Sequence, residues 1–282
     1  MFLVILFLPT TGFFFLKNQD VQNYLIHELS DYFSRKLDAR VQIDAAYYTL
    51  FNKIILEDVY IEDQQGDSLI HSRRITGHLN YLNLNKRELH FRELALEDAQ
   101  IRLYKDTSRK INIHFLIEAL KRQDTTKPRM HIRSDEIMIQ NSGLKFQSNQ
   151  PSEKTGKLNF TNLDLDSLNL AVSDLNLDSG KVNMNIHKLS FQDHSGFRLS
   201  QMAARMQMNP QTMQVSDLVV ETPETDFRAD SIHLLHKQYK GFENPFTKLG
   251  FDITISESSI AFNDLAFFSE IFEQAPDREF TL

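Results

Sequence analysis

The chain has 282 residues, 41% hydrophobic and 24% charged, enough to bury one large core or two ordinary ones. Nine glycines and seven prolines are too few for a disordered or collagen-like chain, and a net charge of −7 without a basic stripe argues against nucleic acid. With no cysteine, disulfides and thiolate chemistry are excluded; that suits a reducing cytosol or an envelope protein that avoids thiols.

In chain order, residues 1–16 (MFLVILFLPTTGFFFL) carry no charge and are closed by Lys17. As a helix they would span about 24 Å, against a hydrocarbon core of about 30 Å. The segment 1–17 reads as a transmembrane anchor or signal-anchor, although it lacks a basic start. A cleaved signal peptide is weakened by the lack of an A-x-A-like site, and a buried globular segment is the third reading. Either of the first two sends the rest of the chain out of the cytoplasm. Asn18 or Asp20 can cap a helix. Val21, Tyr24, Leu25, Leu29, Tyr32, Phe33 and Leu37 recur at three- and four-residue spacing, which predicts an amphipathic helix over about 21–37. The segment 18–38 is expected to cover the open end of a sheet. Its polar face is not basic enough to favour the alternative, a helix lying on a membrane surface.

From Arg40 the apolar period falls from 3.6 to 2, and 39–120 reads as a first β segment of short strands. Asp63-Gln64-Gln65-Gly66-Asp67 is a turn, 111–120 a short helical or irregular insert, and 121–129 a charged linker. Strands resume at 130, and 130–282 is expected to continue as a repetitive sheet, interrupted by a polar loop at 148–157 and a looser stretch at 221–250. Apolar alternation returns at Phe251/Ile253/Ile255 and Ile260/Phe262, and Leu265–Phe272 resembles the start of a helix or cap. The C-terminus carries no closing signature, so a piece of a longer chain is expected.

The most regular stretch begins at Leu158. Leu158/Phe160, Leu163/Leu165, Leu168/Leu170/Val172, Leu175/Leu177, Val182/Met184/Ile186 and Leu189/Phe191 alternate, slip by one residue, and alternate again. Slipping one residue would turn the next set to the other face. A bulge or tight turn at each slip keeps the greasy side chains together and places Asp164, Asp166, Asn169, Asp174, Asn176, Asp178, Asn183 and Asn185 on the wet side. Such a one-sided sheet must bury its apolar face. A sandwich or closed barrel with a filled core does so. A curved, incompletely closed sheet whose concave face receives acyl chains does so too. Periodicity alone favours the filled core.

No constellation carries catalysis. Asp63, Gly66 and Asp67 lack the ligand spacing of a calcium loop. His71, His78, His187 and His194 sit in no metal-binding frame. There is no G-x-S-x-G turn and no glycine-rich phosphate cradle. The carboxylates alternate with apolar residues, as on a solvated sheet face, and Arg73-Arg74 and Lys86-Arg87 read as solvated pairs. No catalytic residue, metal site or cofactor is expected.

The order anchor, helix, strand, then FNKIILEDVYIEDQQGDSLIHSRRI, resembles the N-terminal part of the TamB family, AsmA-like translocation and assembly module proteins, in a Bacteroidetes-like form. VQNYLIHELSDYFSRKLDARVQI, IILEDVYIED with GDSLI, and LHFRELALEDAQIRLYKD carry the likeness, over roughly residues 1–120. The missing basic start and the short length depart from the family pattern. The resemblance implies a mainly β fold: a membrane anchor and amphipathic helix, then an extended, curved antiparallel sheet forming an open groove (a β-taco). It implies a single-pass inner-membrane protein with its bulk in the periplasm, no enzyme activity, and phospholipid transport or outer-membrane protein assembly. The expected partners are phospholipid and membrane, with outer-membrane assembly proteins as further candidates. On that reading Leu158, Phe160, Leu163, Leu165, Leu168, Leu170, Val172, Leu175, Leu177, Val182, Met184, Ile186, Leu189 and Phe191 line the groove. The rival reading is a structural scaffold that engages its clients by β-strand pairing.

Overall fold

The computed structural model describes residues 19–49, 52–83, 88–105, 111–121, 131–148, 157–178, 181–209, 211–236, 249–268 and 279–281. The run 1–17 read as an anchor lies outside them, as do most of the 121–129 linker and of the 148–157 loop. Among the described residues no helix is long and apolar enough to cross a membrane.

The protein is mainly β and forms two compact units, Met1–Ser134 with Ile139–Pro151, and Asp135–Met138 with Ser152–Leu282. The first unit holds helix α1 (Gln19–Leu37), strands β1 (Val41–Tyr48), β2 (Lys53–Glu62), β3 (Ser68–Asn83) and β4 (Glu88–Tyr104), helix α2 (His114–Lys121), and most of β5 (His131–Gln147). Its strands form a meander in chain order, with β1 at an edge and β1–β4 paired antiparallel.

The second unit holds β6 (Asn162–Asp178), β7 (Lys181–Asp193), β8 (Arg198–Met208), β9 (Thr212–Glu221), β10 (Asp226–His236), β11 (Leu249–Ile255), β12 (Ser259–Ala261), helix α3 (Phe262–Ala266) and β13 (Glu279–Thr281). Here too β6 to β10 pair antiparallel in chain order; β10 then pairs both β11 and β12, and β13 joins β12. Short polar hairpins make this order the local solution, because antiparallel neighbours need only a few linking residues.

Helix α1 packs Ile26, Leu29, Phe33 and Leu37 against Val41, Ile43 and Val59. Tyr24 and Tyr32, which the spacing places on the apolar face, are exposed by 65% and 37%. Each presents an apolar ring with a hydroxyl that prefers water, and so suits the rim of the face. The helix ends at Asp38, in the left-handed region at φ 51°, and Ala39 N–H returns to the Ser34 carbonyl at 3.2 Å. Val41 N–H then donates to Ser34 Oγ at 2.9 Å, which sets the angle at which the chain enters β1. Helix α2, with Ile113, Phe115 and Leu116, covers Leu69, Ile70, Ala99 and Ile101.

Several of the phase slips share a physical form. Six strand residues adopt positive φ: Asp58, Asp98, Asn141, Ser167, Asp174 and Asp217, between 47° and 54°. Five are Asp or Asn, the non-glycine residues that enter this region at least cost, because a short polar side chain can bond to nearby backbone. Each sits in the same local frame, apolar-x-[Asp/Asn/Ser]-next residue, as in Leu56-Glu57-Asp58-Val59 and Val215-Ser216-Asp217-Leu218.

In the second unit the slips insert a residue. Met202 and Met206, four apart on β8, face Val220 and Val215, five apart on β9. Leu170 and Val172, two apart, face Leu189 and Ile186, three apart. In the first unit the slip is shared instead: Leu56, Ile75 and Leu96 form one cross-strand row, and Val59, Ser72 and Ala99, three residues on in each strand, form the next apolar-face row.

Each slip leaves backbone groups out of the ladder, and buried serines take up several of them. Ser72, fully buried, shares its hydroxyl proton between the carbonyls of Arg74 at 2.9 Å and Glu97 at 3.1 Å. Ser142 donates to the Gln140 carbonyl at 2.8 Å and accepts from Ala99 N–H at 3.0 Å. Ser258 accepts from Arg228 N–H at 2.9 Å and donates to the Ser256 carbonyl at 2.8 Å. Buried polar backbone left unpaired would cost about 1–3 kcal/mol per group, which gives these serines a stabilising role on an otherwise apolar face.

Candidate functional site

The alternation and slips sort the second unit into apolar and polar cross-strand rows. Met184, Met206, Val215, Ile232 and Ile253 pair in succession across β7 to β11. Val182, Met208, Met213 and Leu234 form a parallel row, and Leu170, Leu189, Met202 and Val220 a third. Between the first two, Asn183, Gln207, Gln214, His233 and Asp252 pair in the same order and face the other way.

One end of this apolar face is closed. Leu158, Phe197 and Leu199 are buried and pack with Leu163, Leu189, Phe191, Met202, Val220 and Phe267. Leu158 N–H donates to the Phe267 carbonyl at 3.1 Å. Just beyond, the Asp264 carboxylate accepts from both Thr222 and Thr225 hydroxyls, the latter at 2.6 Å, and so ties α3 to the β9–β10 turn. Away from this plug, no described element packs over the Met184 and Met208 rows. Ile253 and Ile255 are each 41% exposed and Leu175 42%.

The predicted groove residues therefore divide. Leu158, Leu163, Leu189 and Phe191 belong to the packed plug, and Phe160, stacked on Phe268 at 6.2 Å, is 63% exposed beside it. Leu165, Leu168, Val172 and Ile186 are buried, while Leu170, Val182 and Met184 are half-buried on the apolar face. Leu175 is exposed, and the Leu177 side chain lies outside the described set. Met202, Met206, Met208 and Met213 extend the surface; the continuing alternation after residue 200 is the signal that reaches them.

In the first unit the corresponding row is covered at Gly77, which is buried, by the ring of Phe91, itself buried. Tyr48, Ile54, Gly77 and Leu94 pair across β1 to β4 beyond the part covered by α1 and α2. A Cβ on Gly77 would stand 2.7 Å from the Phe91 ring, which lies over this glycine. Leu82 is 47% exposed at the far end.

The polar faces carry compensated charge. Arg74 sits between Glu57 at 3.4 Å and Glu97 at 3.6 Å, and Arg73 lies 3.8 Å from Asp98, so the arginine pair is matched across three strands rather than freely solvated. Asn141 Nδ2 donates to Asp98 Oδ1 at 2.6 Å, Asn185 Nδ2 to Asp174 Oδ2 at 2.6 Å, and Arg205 pairs with Asp217. His187 meets the Ser173 hydroxyl at 2.8 Å, and His194 lies 3.9 Å from both Asp164 and Asp166. Among the described residues no three acidic or histidine side chains gather as metal ligands.

Asp63 is buried in the β2–β3 turn. Burial alone raises its pKa, but hydrogen bonds from Asn112, Tyr104 and the Gln65 and Asp67 amides outweigh it and hold the carboxyl below its ordinary value. That makes Asp63 a turn-organising carboxylate. A hollow of about 290 Å³ at the β9–β10 turn is lined by Glu221–Asp226 and Ser259. It lies on the hairpin rather than on the apolar rows.

Set against known proteins, the chain matches no protein-family model and no curated protein. What the fold and site define is an antiparallel meander in two units, with one-sided apolar faces that are closed at one end.

Proposed function

We propose that the protein is a non-catalytic, membrane-anchored lipid-handling protein of the cell envelope, TamB-like in character, whose apolar sheet faces shield phospholipid acyl chains. The observation that carries this reading is the Met184–Ile253 row beside the closed end of the second unit, over which no described element packs and in which Val215 alone is buried. The Met184–Ile253 row crosses five strands, four steps of about 4.8 Å or roughly 19 Å, which exceeds the roughly 15 Å depth of one leaflet. A chain laid there gains up to about 0.8 kcal/mol per buried CH₂ without a directional ligand. Methionines line the middle of the face, and their flexible thioethers adapt to irregular apolar cargo. The compensated polar faces suit a surface held in water. Anchoring by residues 1–17 at the inner membrane, with the remainder in the periplasm, belongs to the same proposal.

The test is lipid recovery. Purified from lipid-containing cells, the full chain is expected to carry phospholipid detectable by mass spectrometry, and Leu170→Asp with Met184→Asp to abolish lipid crosslinking while circular dichroism stays unchanged. Repeated recovery of lipid-free protein sinks the reading. The scaffold alternative draws on β1, which among the described strands pairs β2 alone and so offers an edge for an added strand.

A further inference from the structure

Most of the exposed aromatic side chains described in the first unit gather at one end of it. Tyr47 and Tyr48 close β1, and Tyr81 and Leu82 lie near the end of β3; all four are between 40% and 47% exposed. The register brings them to the same end, because Tyr48 pairs Ile54 at the start of β2, Ile54 pairs Gly77, and β3 runs on from Gly77 to Leu82. Neighbouring residues of a strand point to opposite faces, so each pair presents one side chain on either side of the sheet. Helix α1 reaches this end as well. Its last turns are tied through Ser34 to Val41, at the other end of β1, yet Ile26 still packs on the Val41, Ile43 and Val59 cluster, so the helix doubles back over the strand. Tyr24, 65% exposed, stands about 20 Å along the helix from Leu37, against about 23 Å from Val41 to Tyr48. Only Asn18 lies between the start of this helix and Lys17, which closes the uncharged run 1–16. The opposite end of the unit, at the β2–β3 turn, exposes Gln64, Gln65 and Asp67 instead.

We propose that this ring of tyrosines is a second membrane contact, seated in the headgroup layer of the bilayer that residues 1–17 enter. This rests on the anchoring reading above and adds which end of the first unit meets the lipid. Two independent features choose a bilayer as the occupant. A tyrosine joins an apolar ring to a hydroxyl that stays wet, the combination that settles at the boundary between headgroups and acyl chains. The uncharged run is about 6 Å shorter as a helix than the hydrocarbon core, and a short span is accommodated partly by flanking side chains that reach the interface. Tyr24, about 8 Å of helix beyond Gln19, is such a flanking side chain, and the doubled-back helix brings Tyr48 and Tyr81 to its level.

The chain contains no tryptophan, so one introduced by substitution reports alone. Tyr24→Trp and Tyr81→Trp mark the ring, each keeping an aromatic side chain, and Gln64→Trp marks the exposed turn at the opposite end. Each full-length variant is reconstituted into vesicles of phosphatidylethanolamine and phosphatidylglycerol, with or without acyl chains brominated near the glycerol, and the vesicles are floated before emission is read. Emission from Tyr24→Trp and Tyr81→Trp is expected to fall about twofold or more in the brominated vesicles, and emission from Gln64→Trp to stay unchanged. The two ring positions lie on different elements, so a local disturbance at one does not silence the other. A chain that floats with the vesicles while neither ring position is quenched overturns the inference and leaves the anchor intact. Equal quenching at all three positions overturns it too, because the unit would then lie flat on the surface. A chain that does not float at all would instead overturn the anchoring reading beneath it.

Discussion

Asp58 tests the physical account of the slips most directly. It is exposed and stands at φ 48° in the middle of β2, between Leu56 on one apolar-face row and Val59 on the next. A β-branched residue held in that region costs about 1–3 kcal/mol. Asp58→Val, which removes no buried atom, is therefore expected to destabilise β2 by about 2 kcal/mol, close to a 30-fold change in the opening equilibrium. Glycine relieves the strain but loses about 0.5–1 kcal/mol through unfolded-state entropy, so Asp58→Gly is expected near neutral, and Asp58→Asn likewise. Deleting the residue is harsher. Val59, 3% exposed, and Ile61 would turn to the polar face, at about 1.5–3 kcal/mol each. The assay is native-state hydrogen exchange on peptides covering 53–62 and 68–83, which reads β2 and β3 without requiring the whole chain to unfold in one step. Equal exchange in Asp58→Val and Asp58→Gly would show that left-handed backbone is not what carries the slip.

Three further outcomes rest on single contacts. Because Asp63 has a lowered folded-state pKa, its stabilisation is fully present above the ordinary carboxylate value of 3.8 and is lost as pH falls through the lower folded value; Asp63→Asn should flatten the acid limb of hairpin stability as pH falls from that ordinary value, and an unchanged limb would place the acid sensitivity elsewhere. Gly77→Ala puts a methyl group 2.7–2.8 Å from Phe91 ring atoms and is expected to cost about 1–3 kcal/mol, largely recovered in a Phe91→Leu background; a double-mutant cycle in urea shows whether that coupling exists. Asp264→Ala removes the acceptor shared by Thr222 and Thr225 and should raise amide exchange over 259–268 and around Phe197 at least tenfold, whereas a change confined to α3 would separate this clasp from the plug.

Much of the fold is readable in the residues. Period-2 spacing from Arg40 marks most of the strands, and the three- and four-residue spacing before it marks α1, because a pleat alternates faces every residue and a helix turns by 3.6; β10 (Asp226–His236) lies in the stretch read as looser, its alternation broken by the register shift between Ala229 and Ser231. The slips are visible as broken alternation, and their frame, an apolar residue two positions before Asp, Asn or Ser, is a readable bulge signal. Arg73 and Arg74 look freely solvated along their own strand, since their partners Glu57, Glu97 and Asp98 come from neighbouring strands that spacing does not reach. Leu158, Leu189 and Phe191 look like any other teeth of the comb. Only packing against Phe197 and Phe267, the latter more than a hundred residues from Leu158, assigns them to the plug.

The sequence by itself determined the β class, the sidedness of the regularly alternating strands and the places where their alternation must be repaired, because each depends on backbone geometry within a few residues. Only the tertiary structure decided which stretches of the apolar face are covered, since covering depends on segments distant in sequence arriving on the same surface. That is why α1 and α2 close one end of the first unit and the Leu158–Phe267 cluster closes one end of the second, while no described element covers the half-buried methionine rows beside that cluster.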